Sequence, residues 1–250
     1  MEQELIGIIT DFFKDNERQG PGSAESTIKA LNFVEGYENF EHILDIGCGT
    51  GAQTLELAQH TNAHLFAVDM LKDFLDTLQR RADMVGVYDK IHVHEASMEY
   101  LPFEDDMFDM IWCEGAIYHI GFENGLQRWK RFLRDNGYLV VSEISWLTQD
   151  RPSRLTDYWN TNYAGIDLIS NKIKIIEKCG YLPCGCFTLP SVCWDNYYHP
   201  IIKKVASSIG KQPGDATMNT FLESVVEELF MYQKYNSYYN YVFYVMKKLN

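Results

Sequence analysis

The chain has 250 residues, with 22 Lys plus Arg against 35 Asp plus Glu, a formal net charge of −13. Its 46% hydrophobic and 23% charged residues are globular proportions, which exclude a disordered chain and a fibrous repeat. An acidic balance with no basic tract argues against nucleic acid and against an anionic membrane surface, since both are bound mainly through Lys and Arg.

Up to residue 35 the pattern predicts two helices, broken at Gly20-Pro21-Gly22-Ser23. Ser23 is the expected N-cap of the second, with Ser26 as an alternative. Residues 42–46 read as a buried strand, 51–59 as a helix and 64–68 as a second strand. Residues 71–85 carry Leu71, Phe74, Leu75 and Leu78 at the spacing of an amphipathic helix. Residues 91–95 and 108–113 are predicted strands, and 124–134 a helix through Leu126, Trp129 and Leu133. Asn136-Gly137 reads as a turn into a fifth strand at 138–144. Residues 147–166 are polar and aromatic with no clear period. A helix is expected at 167–178, stopped by Gly180, then a strand at 181–189, helices at 195–209 and 215–235, and a last strand at 241–246. Strands alternating with helices predict parallel βαβ units joined by right-handed crossovers. No repeat or linker divides the chain, so one domain over 1–250 is expected.

No apolar run approaches the roughly 18 residues of a membrane span. The first fourteen residues lack the basic leader and cleavage site of a signal peptide. Six cysteines are too few for a disulfide scaffold, and Cys184-x-Cys186 has the wrong spacing for a zinc knuckle. A reduced, cytoplasmic protein with no metal site is the expectation.

The sharpest motif is Asp45-Ile46-Gly47-Cys48-Gly49-Thr50-Gly51, which follows a buried strand and opens a helix. Glycines there allow a tight turn and a close approach of ligand to backbone, and the helix start offers free N–H groups. Asp69 ends the next strand, 22 residues past Gly47, where a carboxylate can accept both hydroxyls of a ribose. Together these point to a nucleoside-containing cofactor; a structural turn beside a loop acid is the plainer alternative. Gly47-x-Gly49-x-x-Ala52 also fits the relaxed dinucleotide fingerprint. Three features tilt away from it: glycine at every second position, Asp45 two residues before the first glycine, and the run from Ser97-Met98 to Phe108-Asp109 after strand three.

In LDIGCGTG (44–51), AVDM (67–70), LPFEDDMFDMIWC (101–113) and Asn136-Gly137-Tyr138-Leu139-Val140-Val141, residues 41–146 resemble class I S-adenosylmethionine (AdoMet)-dependent methyltransferases. They are most similar to the small-molecule branch of ubiquinone/menaquinone C-methyltransferases. The resemblance implies an α/β, three-layer Rossmann-like methyltransferase fold. Its seven-stranded, mostly parallel sheet would have an antiparallel last strand. Residues 41–146 would be the cofactor-binding core, 1–36 a helical lid and 147–250 the substrate-facing and C-terminal part. Carried over, Gly47, Gly49 and Gly51 would pass beneath the methionine half, with Cys48 supplying backbone contacts and Asp45 near the amino group. Asp69 would hold the ribose and Met70 would pack on the adenine. Ser97 and Met98 would flank the adenine edge, although many relatives have Asp where this chain has Ser97. Glu114 and Gly115 would border the sulfonium. Arg18, beside the Gly-Pro-Gly hinge, would grip the AdoMet carboxylate, unless that segment is a plain inter-helix turn.

The function so implied is methyl transfer from AdoMet to a small-molecule acceptor. Such a displacement needs alignment above all, and a general base only where the acceptor must lose a proton. His119 is the first candidate base, since its unperturbed pKa lies near neutrality; a structural loop histidine is the alternative. Tyr118 and Glu114 come after it. Trp146, Tyr158, Trp159 and Tyr163 could line an acceptor pocket, though packing is the commoner fate. The rival functions are an NAD(P)-dependent oxidoreductase and a catalytically silent AdoMet-binding module. A homodimer is left open.

Overall fold

A computed structural model describes residues 2–208 and 215–249. Five parallel strands form the centre: β1 (His42–Ile46), β2 (His64–Asp69), β3 (Ile91–Glu95), β4 (Phe108–Glu114) and β5 (Leu133–Trp146). A two-residue β6 (Asp167–Leu168) pairs with the end of β5, and β7 (Tyr181–Thr188) lies at the far edge. The last strand, β8 (Tyr239–Lys248), inserts between β5 and β7 and runs antiparallel to both. The order is β3-β2-β1-β4-β5-β8-β7. The α/β fold with a seven-stranded, mostly parallel sheet and an antiparallel last strand is therefore present, with β6 as a short addition.

The central strands β1, β4 and β5 read as largely apolar runs because both faces are covered. Ile43, Leu65, Ala67, Met110, Trp112 and Val140 point to one side. There they meet α2 (Ala24–Leu31), α3 (Ala52–His60) and α4 (Lys72–Met84). Leu44, Ile46, Val68, Ile111, Leu139 and Val141 point to the other, against α5 (Phe122–Trp129) and α7 (Ile169–Lys178). A third apolar cluster sits beyond the carboxyl ends of the parallel strands. It joins α1 (Glu2–Phe13), α6 (Ser153–Asn162), α8 (Ser191–Ser208) and α9 (Ala216–Tyr235) through Phe12, Phe13, Leu155, Trp194, Tyr197 and Phe221. In open α/β sheets this is the end where ligands bind.

Several boundaries differ from the sequence expectations. α6 occupies part of the stretch read as aperiodic; only Leu155 of its residues is fully buried, so its apolar stripe is too thin to register. The predicted helix at 124–134 stops at Trp129, passes through a 3-10 turn and becomes β5 at Leu133. Six residues of β5, Leu133 to Tyr138, pass against three of β4, Phe108 to Met110. The excess loops out, with Asn136 at φ 62°. The expected Asn-Gly turn is thus an excursion within a strand. The predicted end at residue 209 lies outside the described residues. Ser23 caps α2 as expected, its hydroxyl accepting from Ser26 N–H at 3.2 Å.

Candidate active site

Between β1 and α3 the chain makes a glycine turn tied to β2: the N–H groups of Gly47 and Cys48 both donate to the Val68 carbonyl, at 2.8 and 3.0 Å. Gly47, Gly49 and Gly51 all have positive φ, at 70°, 55° and 89°, which L side chains resist. Gly47, Cys48 and Gly49 line a cavity of about 740 Å³ at the carboxyl ends of the strands. Gly51 does not line it. A Cβ there would stand 2.1 Å from Leu78 Cδ1. Its expected ligand role is thus replaced by a packing one: it lets α3 lie against α4.

Asp69 is held at the cavity wall by two backbone donors, Gly49 N–H to Oδ2 and Leu71 N–H to Oδ1, each at 2.9 Å. Burial pushes its pKa up while these bonds pull the other way. Each carboxylate oxygen still has a lone pair to offer. Asp45 departs from its expected role. It lies on the α3 face of β1 and is fully buried. Its carboxyl accepts from Thr54 Oγ1 at 2.6 Å and from Gln53 Nε2 at 3.3 Å, and it does not reach the cavity. Burial pushes its pKa up to about 7. The wall position belongs to Gln53, which sequence reasoning missed. Its place in the first helical turn after the glycines was the available signal.

Met70, Ser97, Met98, Glu114, Gly115, Tyr118 and His119 all line the same cavity. Arg18 does too, but its expected partnership is altered. Its Nη1 donates to Glu114 Oε2 at 2.9 Å, with both side chains less than one-tenth exposed. Thr27 Oγ1 and Trp112 Nε1 donate to the other oxygen, at 2.7 and 2.9 Å. Glu114, expected as a border residue and a lesser candidate base, is therefore the carboxylate that Arg18 holds. Next to Arg18, the Gln19 side chain lies on the turn, Oε1 accepting from Thr50 N–H at 3.0 Å. The segment after α1 is thus fastened to the glycine turn.

The Tyr118 and His119 rings lie 4.0 Å apart at 33°. His119 makes no side-chain hydrogen bond among the described residues, and burial pushes its pKa down. Burial first, then the charge of Glu228, push the Tyr118 phenol up to about 12. Near neutral pH the imidazole can accept a proton and the phenol can donate a hydrogen bond. Trp146, Trp159 and Tyr239 pack edge-on within the third cluster, at 5.1–6.4 Å. Trp146, Tyr158, Trp159 and Tyr163 stay out of the cavity. Its wall opposite the glycine turn comes instead from α1, α8 and α9, through Phe13, Tyr197, Phe221 and Glu228. Those residues carry no motif, so the sequence offered only their helical spacing.

Residues 43–137 match the family described as Methyltransferase domain. The core of this chain is therefore similar to methyltransferase domains. A 126-residue stretch is 30% identical to the methyltransferase GfsG of Streptomyces halstedii, covering 50% of this chain and 44% of that protein. Another, of 121 residues, is 31% identical to the demethylmenaquinone methyltransferase of Clavibacter sepedonicus, covering 48% and 46%. The chain thus spans about half the length of the curated relatives it matches. Its fold is like that of a SAM-dependent methyltransferase from Geobacter sulfurreducens, crystallised with S-adenosyl-L-homocysteine (SAH). The TM-score is 0.81 over 97% of both chains, at 18% identity.

Proposed function

We propose that the chain transfers a methyl group from AdoMet to a small-molecule acceptor. One observation carries this reading: the Gly47–Gly49 turn and the Asp69 carboxylate share one cavity wall, locked together by the Gly49 N–H bond to Asp69. The turn gives a side-chain-free surface for a thioether chain, and Asp69 gives a charged acceptor for a vicinal diol one crossover away. Ser97 and Met98 provide a polar and an apolar edge for a purine. The residues present therefore fit an adenosyl thioether. The methyltransferase match does not favour an NAD(P)-dependent oxidoreductase.

Bound AdoMet supplies a methyl group already activated on a sulfonium. The chain's own part is to align the acceptor and exclude water, which can supply roughly 7–11 kcal/mol of a barrier. α1 acts as the lid, with Ile6, Ile9 and Phe13 closing the cavity. His119 accepts a proton where the acceptor must lose one, and Tyr118 orients the acceptor. The relatives include methyltransferases named for a quinone, a sarcosine/dimethylglycine and a phosphoethanolamine, so the quinone branch rests on one likeness among several. Calorimetric titration with AdoMet, SAH and NADH tests the reading. Saturable binding of AdoMet and SAH, but not NADH, is expected; the reverse order refutes it, and binding without turnover on any acceptor favours the silent module.

A further inference from the structure

The half of the cavity facing away from the glycine turn has a chemistry of its own. Phe13, Tyr118, Tyr197 and Phe221 line it. Phe13 stacks on Tyr197 and meets Phe221 edge-on, both at 6.4 Å between centroids. Into this aromatic chamber α9 presents Ser224, Val225 and Glu228 from one helical face. Glu228 Oε1 accepts from the Tyr198 hydroxyl at 3.0 Å. Oε2 has no partner among the described residues.

The other charges of the cavity are already committed. Arg18 is the single Lys or Arg among the described lining residues, and it is bound to Glu114. Asp69 is bonded to backbone N–H groups, and Glu99 stands exposed at the rim. An acceptor bearing a carboxylate or phosphate finds no cation here and meets an uncompensated acid. An ammonium finds the opposite: a carboxylate with a spare oxygen, ringed by aromatic faces that attract cations.

We infer that this end of the cavity takes an organic cation, an acceptor with an ammonium group on an apolar, ring-sized body, with Glu228 as its counter-charge. Burial pushes Glu228 up to about 7, so without a cation the carboxylate is held at a disadvantage that a bound ammonium relieves. The inference rests on the methyltransferase reading for what the opposite half of the cavity holds, but its ligand chemistry comes from Glu228 and the rings alone.

The test uses three probes that share a phenyl body: 2-phenylethylamine, 2-phenylethanol and 3-phenylpropanoate. Each is titrated calorimetrically into SAH-loaded protein and into the Glu228→Gln variant. The amine is expected to bind at least tenfold more tightly than either other probe. In Glu228→Gln that preference falls by tenfold or more, while SAH and 2-phenylethanol keep their affinities within about twofold, which also shows that the variant folds. Equal or tighter binding of the alcohol or carboxylate overturns the inference, as does no measurable amine binding or a preference that survives in Glu228→Gln. Failure to bind SAH would overturn the methyltransferase reading instead, and the same probes, titrated without SAH, would still decide this one.

Discussion

Asp69 joins sequence and function most directly, because one carboxylate both fixes the glycine turn and faces the cavity. Asp69→Ala is expected to weaken SAH binding by about 1–3 kcal/mol, through loss of charge-assisted hydrogen bonds; calorimetry reads it directly. His119→Ala should slow turnover by about a hundredfold or more with an acceptor that must lose a proton, leaving SAH affinity unchanged; an unaffected rate rules out the imidazole as base. Gly51 belongs to folding: Gly51→Ala sets a Cβ against Leu78 and forces alanine into φ 89°. Thermal or urea denaturation should show a loss of about 2–4 kcal/mol. Most cavity-lining residues of the core were legible because they follow a strand end within a short motif. Asp45 was not, because its place on the α3 face depends on the parity of its position in β1.

The elements over the cavity were harder to read. The two N-terminal helices and the Ser23 cap follow from Gly-Pro-Gly-Ser, a local signal. What Arg18 grips does not, since Glu114 lies 96 residues away and only the fold brings them together. Removing one member of a buried ion pair strands the other. Arg18→Ala should cost about 3 kcal/mol of stability, the low end for such pairs, because Thr27 and Trp112 still donate to Glu114. A loss below about 1 kcal/mol in denaturant unfolding would mean that the pair does not fasten α1 to the core. α9 was expected as a helix, yet its contribution of Glu228 could not be read. Its apolar face packs against α1 and α8, and only that docking turns the carboxylate inward.

Across the whole molecule, buried acids set the pH response. Asp45 and Glu228 are pushed by burial from ordinary values of 3.8 and 4.5 up to about 7. Asp69 and Glu143 move the same way. At Asp45 and Glu228 the folded protein keeps its protons up to about pH 7, whereas the unfolded chain releases them near pH 4. Stability therefore falls as pH rises from about 4 to about 7. Asp45 alone accounts for up to about 4 kcal/mol of that decline, at about 1.4 kcal/mol per pH unit. Thermal melts should show a higher midpoint at pH 5.5 than at pH 7.5 and a flatter profile in Asp45→Asn; an identical profile would place the titration elsewhere. At this scale the sheet was legible from residue 41 onward, because strands buried on both faces give unbroken apolar runs. Of the cap, α1, α8 and α9 were legible only as separate helices and α6 was not legible at all, since nothing local encodes how they converge. The most direct measurement is a crystal structure with SAH bound. The diol should lie within hydrogen-bond distance of Asp69, with the thioether chain over Gly47–Gly49 and open space towards Glu228. A ligand placed away from that turn, or a ribose out of reach of Asp69, would contradict the proposed site.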